Sequence, residues 1–139
     1  LTGAGIPVVG HLGLTPQAEN VFGGKKVQGR GAEAADQLVA DALALADAGA
    51  CAIVLEMVPA PLANRVTETL AIPTIGIGAG AGCDGQVLVW VDMAGMGDWA
   101  PRFAKKFGNV GAALTDATTA YLSAVKDGSF PGPEQTYAS

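Results

Sequence analysis

Glu56 is the residue whose surroundings most strongly predict chemistry. It is the one carboxylate in an otherwise apolar run, CAIVLEMV, at residues 51–58. Because an unpaired carboxylate is costly to remove from water, a strand that keeps one inside such a run keeps it for a reason. The position predicts a general base that accepts a proton from a substrate. The alternative is a structural glutamate that pairs with Lys or Arg or faces a solvent channel.

His11 is the only histidine of the chain and directly follows an apolar run, in the segment GHLGLTPQ. Two interpretations stay open from the residues alone. The imidazole either bonds to loop backbone and shapes the site, or it contacts the substrate. A role as a metal ligand is disfavoured, because no second His or Cys lies at the spacing that metal sites use.

Runs of strand and helix type alternate along the chain and must position these side chains. Apolar runs bounded by Gly and Pro predict strands, and apolar residues at helical spacing predict helices. The predicted strands are residues 6–10, 51–58, 72–77 and 87–91. The predicted helices are residues 32–48, a helix that starts at Pro59 and Pro61, a short helix near residues 102–107, and residues 110–126.

Wholly apolar strands separated by helices predict a parallel α/β sheet covered on both faces. Four such units in 139 residues fit half of a (βα)8 barrel of about 250 residues, and an open doubly wound sheet is the rival interpretation. In either fold the site lies where the strands end. The polar candidates there are His11 with Thr15 and Gln17, Glu56, the Gly-rich turn after the third strand, and Asp92.

Two loops could bind anions but have simpler explanations. The Gly-rich segment at residues 76–85 resembles a phosphate cradle, yet it lacks the Lys-Ser/Thr of a P-loop and the last Gly of GxGxxG. We favour a tight turn between strand and helix, with Asp84 capping the helix. The loop with Lys25, Lys26 and Arg30 is either simply solvated or covers an anionic ligand.

Composition excludes several classes of partner. The formal charge of −5 and the absence of a larger basic cluster argue against nucleic acid. No apolar run reaches the roughly 18–20 residues of a membrane span, and the first residues do not resemble a signal peptide. Cys51 and Cys83 show no metal or redox spacing; Cys51 is expected in the core, and the setting is expected to be cytoplasmic.

Several segments together resemble the ketopantoate hydroxymethyltransferase family. They occur in the family's order and cover nearly the whole chain, and HLGLTPQ combined with IGIGAG..CDGQVLV is highly specific. The segments are GIPVVGHLGLTPQ (5–17), GGKKVQGR (23–30), DAGACAIVLEMVPAPLA (47–63), IPTIGIGAGAGCDGQVLVWVDMAGM (72–96), PRFAKKF (101–107) and GSFPGPE (128–134).

The resemblance implies a (βα)8 barrel of the phosphoenolpyruvate/pyruvate superfamily, of which residues 1–139 supply about the last four βα units. It implies hydroxymethyl transfer from 5,10-methylenetetrahydrofolate to 3-methyl-2-oxobutanoate, giving 2-dehydropantoate for pantothenate biosynthesis. A Mg²⁺ ion that chelates the ketoacid is implied too. The family's catalytic base matches Glu56, and its histidine in the ketoacid site matches His11.

The resemblance also implies what this chain does not carry. The family's metal-binding aspartates belong to segments upstream of the part that matches residue 5 onward, so we expect no metal ligands in this chain. The N-terminal half of the barrel is expected to be missing or supplied elsewhere, and a large, decamer-like homo-oligomer is expected. The alternatives are a non-catalytic half-barrel remnant and a related ketoacid lyase or mutase, which would need no folate.

Overall fold

The computed structural model describes residues 1–137 of the chain. They form two compact units, Leu1–Leu88 and the described residues from Val89 onward. The first unit contains the strands β1 (Val9–Gly13), β2 (Ala52–Glu56), β3 (Thr74–Ile77) and β4 (Gly85–Gln86), with the helices α1 (Glu19–Phe22), α2 (Ala32–Asp47) and α3 (Ala60–Thr69). The second contains the helices α4 (Trp90–Met93) and α5 (Val110–Asp127). Short 3-10 turns lie at Thr2–Ala4, Pro16–Ala18 and Pro133–Gln135.

The four strands form one parallel sheet in the order β1-β2-β3-β4. The register places Gly13 opposite Glu56 and Glu56 opposite Ile77, so the strands end together. Sequential order without a reversal is the arrangement of a barrel segment, whereas a doubly wound sheet reverses its order at a switch point. The predicted parallel α/β fold is therefore confirmed, and these strands fit half of a barrel.

Helices α2 and α3 cover one face of the sheet. Helix α2 begins and ends within one residue of its predicted bounds, and α3 begins between the two prolines at which it was predicted to start, with Pro59 at its N-cap. The side chains of Ile53 and Leu55 in β2 are completely buried against these helices. The buried cluster consists of Leu38, Ala42, Ile53, Leu55, Val58, Leu62, Ala63, Val66, Ala79 and Cys83.

Two predicted strands lie elsewhere than expected. The first was expected at residues 6–10, but β1 is Val9–Gly13; Pro7 has no N–H to donate to a ladder. His11 therefore lies inside the strand rather than after it. The fourth was expected at residues 87–91, but β4 is Gly85–Gln86 and helix α4 begins at Trp90. A short apolar run does not by itself distinguish a strand from other structures.

The second unit departs further from the predictions. No helix forms at residues 102–107, where Lys106 Nζ instead donates a hydrogen bond to Gly97 O at 2.6 Å. Helix α5 is confirmed, but none of its residues is buried. Apolar residues on one face of this helix stay 42–54% exposed: Val110, Leu114, Tyr121 and Val125. After α5 the tail folds back, and the Phe130 ring meets Tyr121 edge-on, with 5.5 Å between ring centroids.

The prediction that Cys51 lies in the core is wrong. Cys51 is exposed, with Sγ 3.3 Å from the carbonyl oxygen of Val8 to which it donates, because it lies one residue before β2 begins. Cys83 is the buried one and belongs to the core cluster. Within residues 1–137, no helix is long and apolar enough to cross a membrane.

Asp84 does not cap a helix, because the chain continues into β4. Its carboxylate Oδ2 instead accepts the backbone N–H of Thr74 at 2.8 Å and lies 3.2 Å from the Thr74 hydroxyl. That hydroxyl is also 2.7 Å from the hydroxyl of Thr67 in α3. Since Thr74 is completely buried, this network replaces the water that its polar atom loses on folding. It attaches the start of β3 to both α3 and the Gly-rich segment.

Replacing Thr74 with valine should destabilise the protein by about 1–3 kcal/mol, because Asp84 and Thr67 lose a buried partner without a change in side-chain volume. The free energy of unfolding can be measured by denaturant titration. Thr69→Val is the matched control, because the Thr69 hydroxyl is exposed and bonds to Arg65 O of its own helix. The control should change the free energy by about 0.5 kcal/mol or less. Equal effects of the two substitutions would show that the Thr74 network contributes nothing specific.

Candidate functional site

The side chains of His11 and Glu56 meet across two neighbouring strands. His11 pairs in register with Val54, and Glu56 lies two residues further along β2 on the same face of the sheet. The imidazole Nε2 is 3.1 Å from Glu56 Oε2. The two side chains are 33% and 15% exposed. The sequence placed both residues near strand ends, and the structure brings them into direct contact.

The direction of this hydrogen bond depends on the tautomer of His11. An ionised carboxylate only accepts hydrogen bonds, so with Glu56 ionised the proton of the contact is carried by His11 Nε2. In a neutral imidazole this leaves Nδ1 as an acceptor for another group. The geometry thus holds the Oε2 atom of the carboxylate in place.

The backbone around Glu56 is bonded on both sides. Its carbonyl oxygen accepts the N–H of Leu14 at 2.8 Å. The next residue, Met57, donates its N–H to Ile77 O at 2.9 Å and accepts the N–H of Gln28 at 3.0 Å. The end of β2 is therefore attached to the segment after β1, to β3, and to the loop before α2.

Gly13 lets the ends of β1 and β2 approach each other. Its φ is +87°, and a Cβ built there would collide with the carbonyl oxygen of Glu56 and lie 2.7 Å from a methyl carbon of Val58. A glycine is therefore required on two grounds, the left-handed backbone and the missing space.

A surface cavity of about 370 Å³ lies beside this pair. Its lining includes His11, Gly13, Thr15 and Gln28, together with Asp41 of α2. Glu56 is not part of the lining, and the lining residues Leu38 and Asp41 belong to α2, which covers the face of the sheet opposite Glu56. Of the other predicted residues, Gln17 does not line it, and Asp92 lies in α4 of the second unit.

The Gly-rich segment is a tight turn, as favoured, but it joins two strands and no helix. A Cβ on Gly80 would lie 2.5 Å from Cβ of Ala60, and one on Gly82 would collide with the side-chain oxygen of Asn64. Gly80 is needed because it has a left-handed backbone, with a φ of +86°, and packs closely on Ala60 of α3. Gln86 holds the turn by donating to Gly80 O at 2.8 Å.

The loop with the exposed residues Lys25, Lys26 and Arg30 is anchored next to Glu56 through the bond from Gln28 N–H to Met57 O. The two interpretations of its charges, solvation or a cover over an anion, both stay open. Among residues 1–137, no group of three or more His, Cys, Asp or Glu side chains is arranged to hold a metal ion.

Comparison with known proteins identifies the relatives of this chain. The family model described as ketopantoate hydroxymethyltransferase matches residues 1–133. The chain belongs to the ketopantoate hydroxymethyltransferase family. Proteins named 3-methyl-2-oxobutanoate hydroxymethyltransferase are 59% identical in Frankia casuarinae, 54% in Clostridium novyi and 56% in Mycobacterium ulcerans, each over 138 residues and 99% of this chain. The alignments cover 46%, 50% and 46% of those proteins, so the chain spans about half the length of its relatives.

Sequence reasoning missed three features of the candidate site. It did not predict the contact of His11 with Glu56, although the ends of adjacent parallel strands do bring such residues together. It did not predict that the loop before α2 bonds to Met57. It also missed the left-handed backbone of Met57, which has a φ of +50°, because methionine gives no signal for that conformation.

Replacing Gly13 with alanine should displace the end of β2 and with it Glu56. We expect a loss of about 1–3 kcal/mol in the free energy of unfolding beyond that of a control glycine. Gly5→Ala is that control, because Gly5 has a φ of +76° but open space where a Cβ would stand. The difference between the two variants isolates the collision with Glu56 from the strain of a positive φ. If both lose the same stability, the close approach at Gly13 is not a constraint.

Proposed function

We propose that the protein transfers a hydroxymethyl group from 5,10-methylenetetrahydrofolate to 3-methyl-2-oxobutanoate and forms 2-dehydropantoate, a step of pantothenate biosynthesis. Family membership and the name of the relatives support this reaction. The observation that carries the proposal in the structure is the Glu56 carboxylate, which is mostly buried at the end of a parallel strand and held by His11.

Glu56 acts as the general base in this proposal. Its carboxylate takes the proton from C3 of the ketoacid, and the electrons of the C–H bond move into the enolate formed with the C2 carbonyl. Water adds to the one-carbon unit of the folate, and both of its C–N bonds break, which leaves tetrahydrofolate and a carbon at the oxidation level of formaldehyde. The enolate carbon then adds to this carbonyl carbon, whose oxygen takes up a proton and becomes the new hydroxyl group. The contact with His11 fixes the direction from which the carboxylate reaches the substrate.

His11 has two functions in the proposal. Its Nε2 orients Glu56, and the imidazole also contacts the ketoacid, as the family resemblance implies. The partial exposure of the ring leaves room for such a contact.

Magnesium is part of the proposed reaction, but residues 1–137 alone do not provide a set of ligands that would hold the ion. Mg²⁺ prefers an octahedron of oxygen ligands, and the site offers one carboxylate, which already bonds to an imidazole. No group of potential ligands occurs elsewhere in that range. We propose that the ion is held by residues outside this chain, and none of the functions of Glu56 and His11 is derived from it.

The assembly and location are proposed from the family resemblance. The chain would supply the last four βα units of a single barrel domain, and the complete protein would form a homo-oligomer in the cytoplasm. Two observations support the barrel assignment: the parallel strands are in sequential order, and the alignment covers about half of the relative's length.

The substitution Glu56→Gln tests the base directly. In the product of the complete gene with Mg²⁺ and without folate, hydrogen–deuterium exchange at C3 of 3-methyl-2-oxobutanoate isolates the proton step. We expect the exchange rate to fall by about 10²–10⁴-fold, the usual contribution of a positioned base. Glu68→Gln is the matched control, because it makes the same chemical change on the exposed side of α3 and should leave the rate unchanged.

Undiminished exchange in Glu56→Gln would reject Glu56 as the base. Turnover of the ketoacid without any folate would instead favour a lyase or mutase, and a complete protein with neither exchange nor turnover would favour a non-catalytic remnant.

Two substitutions separate the functions of His11. His11→Gln keeps an N–H donor near the position of Nε2, so the carboxylate stays oriented and we expect exchange to fall by about tenfold or less. His11→Leu removes the donor and should lower the exchange rate by a further factor of about ten, because a donor to a carboxylate contributes roughly 1.5–3 kcal/mol. The KM for the ketoacid should rise in both variants if the imidazole contacts it. Equal exchange rates in the two variants would contradict the orienting function.

A further inference from the structure

Met57 has a backbone conformation that its side chain does not favour. Its φ is +50°, and it is the only non-glycine residue with a positive φ among residues 1–137. The left-handed region is costly for residues with a Cβ, and Asn and Asp adopt it more readily than Met does. Such conformations persist only where surrounding interactions impose them, and they cluster at functional sites.

The hydrogen bonds that impose this conformation are the ones that surround Glu56. Both the N–H and the carbonyl of Met57 are bonded, to Ile77 in β3 and to Gln28 in the loop before α2. The carbonyl before it, that of Glu56, is bonded to Leu14. Three separate segments therefore hold the peptide groups on the two sides of Met57.

The turn at Met57 also reverses the alternation of side chains along β2. Ile53 and Leu55 belong to the core cluster under α2 and α3, whereas Glu56 lies on the opposite face. In an extended chain, the side chain of residue 57 would point into the core and that of residue 58 would lie on the face of Glu56. Instead Val58 is in the core cluster and is 2% exposed. Glu56 is thus the last side chain on its face of the strand.

We propose that Met57 is a positioning residue for Glu56, acting through its left-handed backbone and not through its thioether side chain. The inference rests on the proposed function, in which Glu56 removes the C3 proton. The turn ends β2 directly after Glu56, so the carboxylate is held at the strand end against His11 while the chain beyond it re-enters the core.

A series at position 57 separates backbone from side chain. Met57→Asn changes the side chain but favours the left-handed region, and Met57→Leu keeps the size and has a similar backbone preference to Met. Met57→Val is β-branched, for which a positive φ is a strong outlier. If the backbone matters, the order of activity matches the tolerance of each residue for the left-handed region. If the side chain matters, Leu exceeds Asn.

We measure C3 exchange of 3-methyl-2-oxobutanoate, the KM for that ketoacid and the circular dichroism spectrum, using the product of the complete gene. Met57→Asn and Met57→Leu should keep the exchange rate within about threefold of the parent. Met57→Val should lower it by on the order of tenfold to a hundredfold, as expected for a misplaced catalytic group. Its KM and its spectrum should be unchanged. Met93→Val controls for the same chemical change in helix α4.

The double variant Glu56→Gln/Met57→Val shows whether Met57 acts through Glu56. If it does, the valine causes no further loss of exchange once the carboxylate is gone, so the two effects are not additive. Additive losses would overturn the inference, because a general structural effect of the valine would lower the remaining activity too.

The outcomes distinguish this inference from the function on which it rests. Undiminished exchange in Glu56→Gln rejects the base itself. A large loss in Glu56→Gln with parent-like exchange in Met57→Val keeps the base and rejects the positioning residue. Should Met57→Val fail to fold, the comparison of Asn with Leu decides, since only a side-chain function makes the leucine variant the more active of the two.

Discussion

The parallel pairing of β1 with β2 is the constraint on which the candidate site depends. Register places Gly13 opposite Glu56, and the alternation of side chains then puts His11 on the same face as the carboxylate. The approach of the strand ends is possible because Gly13 has no side chain to collide with Glu56 O. The hydrogen bond between imidazole and carboxylate is a consequence of this backbone arrangement, and a shift of one residue would send one of the two side chains to the opposite face.

The two faces of β2 meet opposite physical demands. One face buries Ile53 and Leu55 completely and supplies much of the core. The other ends in a carboxylate, which is costly to bury alone and is here compensated by His11 and by partial exposure. The bonds that hold the backbone on both sides of Glu56 let one short strand satisfy both demands, because they end the strand where its polar residue stands.

The sequence predicted the elements that have strong periodicity, and it predicted fewer of the features that depend on backbone geometry. The stripe of α2 and the proline start of α3 were recognised because helix signals are local. The shift of β1 by three residues was missed, since an apolar run does not show where ladder bonds begin. Glu56 and His11 were singled out because a carboxylate and an imidazole are unusual inside or directly after an apolar run. Their contact, the Thr74–Asp84 network and the turn at Met57 depend on pairing between distant segments, which local sequence does not encode.

Among residues 1–137, the helix-covered face of the sheet is more fully buried than the face that carries His11 and Glu56. Ile53 and Leu55 are closed off by α2 and α3, whereas Val9 on the face of His11 and Glu56 is 53% exposed. In a barrel the face away from the helices is the interior, and it is filled by side chains from all the strands together. The relatives are about twice as long as this chain. Their additional length is therefore the place to seek both the residues that cover Val9 and the ligands that a metal beside Glu56 would require.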